Sequence, residues 1–191
     1  IIPALCVPIS QHFYSIFPNL NPWLQVISPV YVYGIVFLFF DKFIWHYKIF
    51  RWLKIVDFPD IRGRWKGLGR SSHKVDGKKF EYEVVIEIKQ TFSSAKIRAF
   101  YQKSESESLT SAFLKPDDRF FLYYTYDNEI NSLATGTMKN HRGTVKLELI
   151  SDKKIKASYF NSIRNNGDFT ITWRSHKLKN HFSMVGVGGI E

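Results

Sequence analysis

Two kinds of hydrophobic pattern meet near residue 57. Before it, the stretch from Trp23 to Phe40, WLQVISPVYVYGIVFLFF, is apolar almost throughout, and Gln25 and Ser28 are its clearly polar side chains. After it, apolar and polar residues alternate in short runs, which is typical of half-buried antiparallel strands. The change of pattern predicts a helical segment at 1–56 and an all-β domain at 57–191.

The apolar stretch is long enough to cross a membrane. As a helix, its 18 residues would rise about 27 Å, close to the roughly 30 Å of hydrocarbon in a bilayer. A buried core helix is the weaker alternative, because a helix of a soluble protein rarely lacks a charged face over such a length. Residues 1–17 are also apolar but contain Pro3 and Pro8, and PNLNP at 18–22 is typical of a turn. We therefore expect a helical hairpin with a short first span.

The segment after the apolar stretch, DKFIWHYKIFRWLK, is both aromatic and basic. Trp and Tyr favour the membrane–water interface, and Lys and Arg near the end of a span favour its cytoplasmic side. The segment predicts a juxtamembrane region with the β domain in the cytoplasm.

Eight alternating runs follow, separated by turn signals such as VDGK, KPDD and RNNG. They cover 61–72, 79–91, 94–103, 107–115, 119–127, 143–151, 154–164 and 168–176. Eight antiparallel strands at hairpin spacing can close into a small barrel that holds side chains or one small ligand. The calycins open with a similar G-x-W, here Gly63 to Trp65. We predict a small antiparallel eight-stranded calycin-like barrel in which Trp65 closes one end.

The composition and motifs of the chain argue against disulfide, metal and catalytic sites. The single cysteine, Cys6, cannot form an internal disulfide, and the six histidines are scattered without the spacing of metal ligands. The chain contains no G-x-S-x-G, HExxH or P-loop motif. We expect no enzymatic activity, no metal and no cofactor.

The net charge of +10 indicates what kind of partner the protein binds. Residues 1–56 hold four cations and one acid, so most of the excess belongs to the β domain. A basic folded domain favours polyanions such as nucleotides, nucleic acids or lipid headgroups.

Candidate ligand-binding residues follow from the alternation inside the barrel. If the glutamates of YQKSESESLTSAF face water, its hydroxyls face the interior, which suits a polar ligand; a frayed, solvated hairpin is the alternative. Tyrosine rings can stack on bases and arginine can hold a phosphate; ordinary barrel packing and a turn-stabilising arginine are the alternatives. The candidates are Ser106, Ser108 and Thr110 on one wall, Tyr101, Tyr126 and Tyr159 for bases, Arg164 at the mouth for phosphate, and Arg98 and Lys103 as weaker phosphate ligands.

The order of these features resembles a known family. The apolar start, PDIRGRWKG, QTFSSAKIRAFYQKSESES, YYTYDN, HRGTVKLEL and SYFNSIRNNGDFTI are similar to the SMODS-associated effectors with two transmembrane helices and a β-strand-rich domain. These effectors belong to bacterial CBASS antiphage systems and to related systems such as Panoptes.

The resemblance implies a cytosolic barrel that senses a cyclic dinucleotide or oligonucleotide made by a partner nucleotide cyclase or nucleotidyltransferase. It further implies a multi-pass protein of the inner membrane whose helices form a homo-oligomer, contact membrane lipid and disrupt the membrane, killing or arresting the infected cell. A nucleic acid polymer is not an expected partner.

Two rival functions remain open at the level of the sequence. A membrane-anchored calycin-like carrier of a small apolar ligand requires an apolar interior, which the serines oppose. A basic membrane-anchored domain that binds lipid headgroups or nucleic acid requires exposed cations, and Arg62, Arg64, Lys66 and Arg70 on one strand supply them.

Overall fold

The structure is a computed structural model that describes residues 8, 11–12, 15–16, 22–75, 77–131 and 139–183, without the side chains of 22–29, 74, 75 and 78. The chain forms two compact units. One contains Ile1–Asp57 together with Thr91–Ser93, and the other contains Phe58–Gln90 and Ser94–Glu191.

The second unit is a closed barrel of eight antiparallel strands in sequence order, with β8 paired back onto β1. The strands are β1 Gly63–Val75, β2 Lys78–Gln90, β3 Ala95–Phe100, β4 Ser104–Leu114, β5 Phe121–Ile130, β6 His141–Ser151, β7 Lys154–Asn161 and β8 Asn166–Ser175. A short 3₁₀ turn, Pro116–Asp118, lies between β4 and β5. The predicted eight-stranded antiparallel barrel is confirmed. The sequence could predict it because period-2 alternation and turn residues specify hairpins locally.

The inner face of the barrel carries buried apolar residues of seven strands, and β4 adds the partly buried Phe113. Val84, Ile86, Leu147 and Ile171 are among the core residues, each no more than 2% exposed. The meander topology gives the barrel two ends of different chemistry. One end is bounded by the β2–β3, β4–β5 and β6–β7 turns, and the other by the β1–β2, β3–β4, β5–β6 and β7–β8 turns.

The first of these ends, the apolar end, is closed by the residues that precede β1. Trp65 is 0% exposed, and its indole Nε1 donates to the carbonyl of Ile61 at 3.0 Å. The side chain of Gln90 accepts from the Ile61 N–H and donates to the Pro59 carbonyl, both at 3.0 Å. Gly63 makes the bend into β1 with φ +124°, a region that favours glycine. These contacts give Trp65 the closing position that the sequence predicts.

The first unit contains helix α1, Pro22–Phe39, a π-helical turn, Phe40–Ile44, and helix α2, Lys48–Trp52. Asp41 is buried in this unit, and its carboxylate accepts the N–H of Ser93 at 2.7 Å. The ring of Phe40 packs edge-on against those of Phe50 and Phe92.

The membrane spans predicted at 1–17 and 23–40 are not confirmed. Within the described part of the chain, no helix combines the length and the apolar character needed to cross a membrane. Most of the first predicted span lies outside the described residues, and so do the side chains of the first eight residues of α1.

Candidate functional site

Polar groups gather at the second end of the barrel, which we call the polar end. The inner-face residues here are Ser71 on β1, Tyr82 on β2, Tyr101 just after β3, Ser104 and Ser106 on β4, Tyr126 and Asn128 on β5, and Tyr159 and Asn161 on β7. By contrast, the pocket at the apolar end is lined by Pro59, Ile61, Phe113, Phe120, Phe121, Leu122, Leu147, Leu149 and Ile155. Among the described residues, the donors and acceptors of the inner face that could meet a charged ligand are therefore gathered at the polar end.

Four tyrosines form the centre of the polar end. The ring centroid of Tyr82 lies 5.8 Å from that of Tyr101 and 6.4 Å from that of Tyr159, and the hydroxyls of Tyr82 and Tyr159 are hydrogen-bonded. Tyr126 is 7% exposed, its hydroxyl is hydrogen-bonded to Asn161, and its ring lies 6.1 Å from that of His141. The structure thus brings the three predicted tyrosines together and adds Tyr82.

Burial keeps the phenols of Tyr82, Tyr101 and Tyr126 neutral. It raises the pKa of Tyr82, and the nearby Tyr101 and Tyr159 act in the same direction. Burial also raises the pKa of Tyr101. For Tyr126, burial and Tyr159 raise the pKa to about 12, against the opposing hydrogen bond from Asn161. At neutral pH the hydroxyls of Tyr82, Tyr101 and Tyr126 therefore remain protonated donors, and they add no negative charge that would repel an anion.

A glycine lies opposite three of these tyrosines on the neighbouring strand. The cross-strand pairs are Gly69 with Tyr82, Gly143 with Tyr126 and Gly167 with Tyr159. A Cβ at Gly69 would come within 2.4 Å of the Tyr82 ring, and one at Gly143 would come within 2.5 Å of the Tyr126 hydroxyl. Because the glycines lack a side chain, the rings can lie over the backbone of the next strand, which fixes their direction along the barrel wall.

An amide and two hydroxyls form the wall between β4 and β5. Ser106 and Asn128 are cross-strand partners, and they are 6% and 4% exposed, with Ser104 at 8%. Among the described residues, the buried Nδ2 of Asn128 has no hydrogen-bond partner. An unmatched buried donor costs about 1–3 kcal/mol of folding free energy, so this group is unusual for a barrel that serves only as a scaffold.

The predicted hydroxyl wall is correct at Ser106 and wrong at Thr110. A bulge between Ser108 and Thr110 interrupts the register with β5, so the alternation changes face and Thr110 is exposed on the outside. The Ser108 hydroxyl accepts the N–H of Ile97 at 2.9 Å, and Ser111 donates to the Ala95 carbonyl at 2.6 Å. These hydroxyls replace strand hydrogen bonds where β3 and β4 separate, so Ser108 has a structural role.

The predicted phosphate ligands are in three different settings. Arg98 lies on the outer face of β3, 3.6 Å from Glu105 and over the ring of Phe100, so it is not brought to the polar end. Lys103 is exposed in the β3–β4 turn, and Arg164 is exposed in the β7–β8 turn. Both turns border the polar end, as the prediction for Arg164 requires.

Arg164 occupies an unusual backbone position. Its φ is +62°, and its N–H donates to the Asn161 carbonyl at 3.1 Å, so the turn is held by the backbone. Among the described residues, the Arg164 guanidinium has no ion-pair or hydrogen-bond partner in the protein. The turn therefore does not depend on this side chain, which is free to contact a ligand.

The basic face of β1 is largely neutralised. Arg62 pairs with Asp60 at 2.7 Å and Arg70 with Glu81 at 2.9 Å, while Arg64 forms a buried ion pair with Glu87. Residues 179–183 cover this pair: Arg64 donates to the carbonyl of His181, and Glu87 accepts the N–H of Lys179. Burial, with Arg64 as the next cause, lowers the pKa of Lys66. The exposed cationic face that a polyanion-binding domain requires is not formed here.

Among the described residues, no three His, Cys, Asp or Glu side chains lie together as a metal-binding group. Sequence reasoning missed Tyr82, Ser104 and Asn128. Tyr82 lies within the predicted run 79–91, and Asn128 lies one residue beyond the predicted run 119–127, so carrying the alternation to the end of each strand would have found them.

Comparison with known proteins identifies the family of the barrel. Residues 56–174 match the family model described as Cap15, cyclic dinucleotide receptor domain. The chain is also similar to CD-NTase-associated protein 15 from Staphylococcus schleiferi, with 29% identity over 160 residues that cover 82% of this chain and 81% of that protein. Since the family model matches more than half of the residues and coincides with the barrel, the chain belongs to the family of Cap15 cyclic dinucleotide receptor domains.

Proposed function

We propose that this protein is an antiphage effector whose barrel binds a cyclic dinucleotide or related cyclic oligonucleotide at its polar end. A partner nucleotide cyclase or nucleotidyltransferase of a CBASS system makes the ligand. The family relationship supports the class of ligand, and the relationship to Panoptes systems stays a prediction from the sequence.

The single observation that carries the proposal is the division of the barrel into a closed apolar end and a polar end. The polar end combines what a dianion with two bases needs. Half-buried rings of Tyr82, Tyr101 and Tyr159 offer stacking surfaces for bases, neutral hydroxyls and an unmatched amide offer hydrogen bonds, and Arg164 and Lys103 offer cations at the rim. Each charge-assisted hydrogen bond contributes about 1.5–3 kcal/mol.

The two rival functions have less support. A carrier of an apolar ligand needs an open apolar interior, whereas the core of this barrel is filled by side chains from all eight strands. A binder of lipid headgroups or nucleic acid needs unpaired exposed cations along β1, whereas Arg64 and Arg70 of this strand and Arg62 just before it are paired with carboxylates.

Calorimetry on the purified 191-residue chain tests the proposal. The ligands are 3′,5′-linked cyclic di-GMP, cyclic di-AMP, cyclic UMP–AMP and cyclic di-UMP, and the controls are the linear dinucleotides, a fatty acid, and vesicles containing anionic lipid. We expect saturable one-site binding of at least one cyclic nucleotide, weakened in Tyr82→Ala. Binding of the fatty acid or of the vesicles alone would contradict the proposal.

The second part of the proposal assigns residues 1–56 to the inner membrane, where ligand binding controls their assembly and the disruption of the bilayer. It rests on the charge-poor stretch at 23–40 and its aromatic, basic flank. It is also supported by the large apolar side chains that α1 exposes, which include Val30, Ile35 and Leu38. Contiguous exposed apolar surface marks a site of contact with a membrane or with other protein copies.

A further inference from the structure

The amide of Asn128 is buried at the polar end of the barrel, between the strands that carry Ser106 and His141. Asn128 is on the inner face of β5 next to Tyr126, and its cross-strand neighbours are Ser106 on β4 and His141 on β6. Asn128 is 4% exposed, and among the described residues its Nδ2 has no acceptor. The nearest tyrosine hydroxyl on the same strand, that of Tyr126, is already bonded to Asn161.

Nothing in the fold requires a carboxamide at this position. The backbone of Asn128 pairs with both neighbouring strands as any residue of β5 does, and the equivalent inward positions further along the strand are Tyr124 and Leu122. An apolar residue of similar volume would avoid burying an unmatched donor. An amide presents a donor and an acceptor side by side, which matches the paired edge groups of a nucleobase.

We propose that Asn128 determines the base selectivity of the site: its carboxamide hydrogen-bonds to the edge of one base of the cyclic nucleotide, with Ser106 beside it. This inference rests on the proposed function. The residues of the polar end then have three separate roles. The tyrosines stack on either base, the rim cations bind phosphate, and Asn128 distinguishes one base from another.

The test separates selectivity from affinity. Dissociation constants of the four cyclic dinucleotides are measured for the wild-type chain, Asn128→Leu, Asn128→Ser and Arg164→Ala. We expect both Asn128 variants to reduce the ratio between the tightest ligand and the next by about tenfold, or 1.4 kcal/mol. Arg164→Ala should weaken all ligands by a similar factor and leave the ratio unchanged, because phosphates are common to all of them.

Two controls keep a structural role of Asn128 distinguishable. Glu129→Gln, on the exposed side of the same strand, should leave both the ratio and the melting temperature unchanged. Asn128→Leu should melt no lower than wild type, because it removes an unmatched donor and keeps the same number of side-chain heavy atoms with the same branching.

An unchanged ratio in the folded Asn128 variants would overturn this inference while leaving the proposed function in place. A lower melting temperature together with an unchanged ratio would assign Asn128 to a structural water-bridged network instead. A wild-type chain that binds none of the four ligands would overturn the proposed function, and this inference with it.

Discussion

At the scale of single residues, the two faces of β4 and β5 decide which side chains can reach a ligand. Ser106 and Asn128 face inward as a cross-strand pair, whereas Thr110, four residues after Ser106, faces solvent. One bulge separates them, so a serine and a threonine from the same hydroxyl-rich run have different environments. This contrast supplies a matched pair of substitutions.

Ser106→Ala and Thr110→Ala should therefore differ in their effect on binding. Loss of one neutral hydrogen bond costs about 0.5–1.5 kcal/mol, so Ser106→Ala should weaken the tightest cyclic dinucleotide by about two- to tenfold. Thr110→Ala should have no effect. Calorimetry of both variants checks the prediction, and equal effects would mean that the inner face of β4 does not contact the ligand.

Arg164→Ala should remove a charge-assisted phosphate contact without affecting the fold. We expect an affinity loss of about 2–3 kcal/mol, or thirty- to a hundred-and-fifty-fold. The melting temperature should be unchanged, because the backbone rather than the guanidinium holds the turn. The φ of +62° at position 164 is equally unfavourable for arginine and for alanine. A depressed melting temperature with unchanged affinity would show that Arg164 is only a turn brace.

Tyr126 should make the barrel sensitive to alkali. Its pKa is raised from 10.0 to about 12 in the fold, so the folded state holds the phenolic proton more tightly than the unfolded chain. The corresponding stability is complete below about pH 10 and is lost as the pH rises towards 12. Tyr126→Phe removes this contribution. Between pH 9 and pH 11.5, the melting temperature of wild type should fall further than that of Tyr126→Phe. An equal fall in both proteins would contradict the burial of this phenol.

At the scale of the elements, the pairing of strands orients the aromatic rings. β1 and β2 pair antiparallel so that Gly69 lies opposite Tyr82, and the three atoms closest to a Cβ at Gly69 all belong to the Tyr82 side chain. At Gly143 and Gly167, backbone atoms are also close. Gly69 is therefore the position at which the contact between glycine and tyrosine can be tested without a backbone clash.

Gly69→Ala should displace the Tyr82 ring and destabilise the barrel by about 1–3 kcal/mol, with weaker ligand binding. The same substitution in a Tyr82→Ala background should be neutral or stabilising, because glycine in a strand interior is otherwise unfavourable. Denaturant unfolding of the two single variants and the double variant checks the coupling. Additive effects would mean that the ring does not depend on the glycine.

At the scale of the whole molecule, the proposed function joins a ligand-binding barrel to a membrane-active segment. The barrel has its own core, and the helical residues form a separate compact unit with Thr91–Ser93. The two activities should therefore be separable by substitutions in one unit or the other.

Val36→Arg in α1 should abolish toxicity in cells that make the cognate signal while leaving the affinity for the cyclic nucleotide unchanged. A charge at the centre of a membrane helix costs about 2.5–3.5 kcal/mol of insertion free energy. Val36→Leu is the matched control and should remain toxic. Survival assays and calorimetry check the prediction, and a toxic Val36→Arg variant would contradict an action of this helix within the bilayer.

The sequence by itself determined the barrel, because alternation and turn residues act over a few positions and specify strands, hairpins and inward faces. It placed Trp65 at a closed end and Tyr101, Ser106, Tyr126 and Tyr159 on the inside, as the structure has them. Only the tertiary structure decided the rest. The bulge at Leu109 depends on how β4 meets β3 and β5, the pairing of Arg64 with Glu87 joins residues 23 positions apart, and the unmatched amide of Asn128 depends on the neighbours that three strands bring to it. These are long-range contacts, which no local pattern of polar and apolar residues encodes.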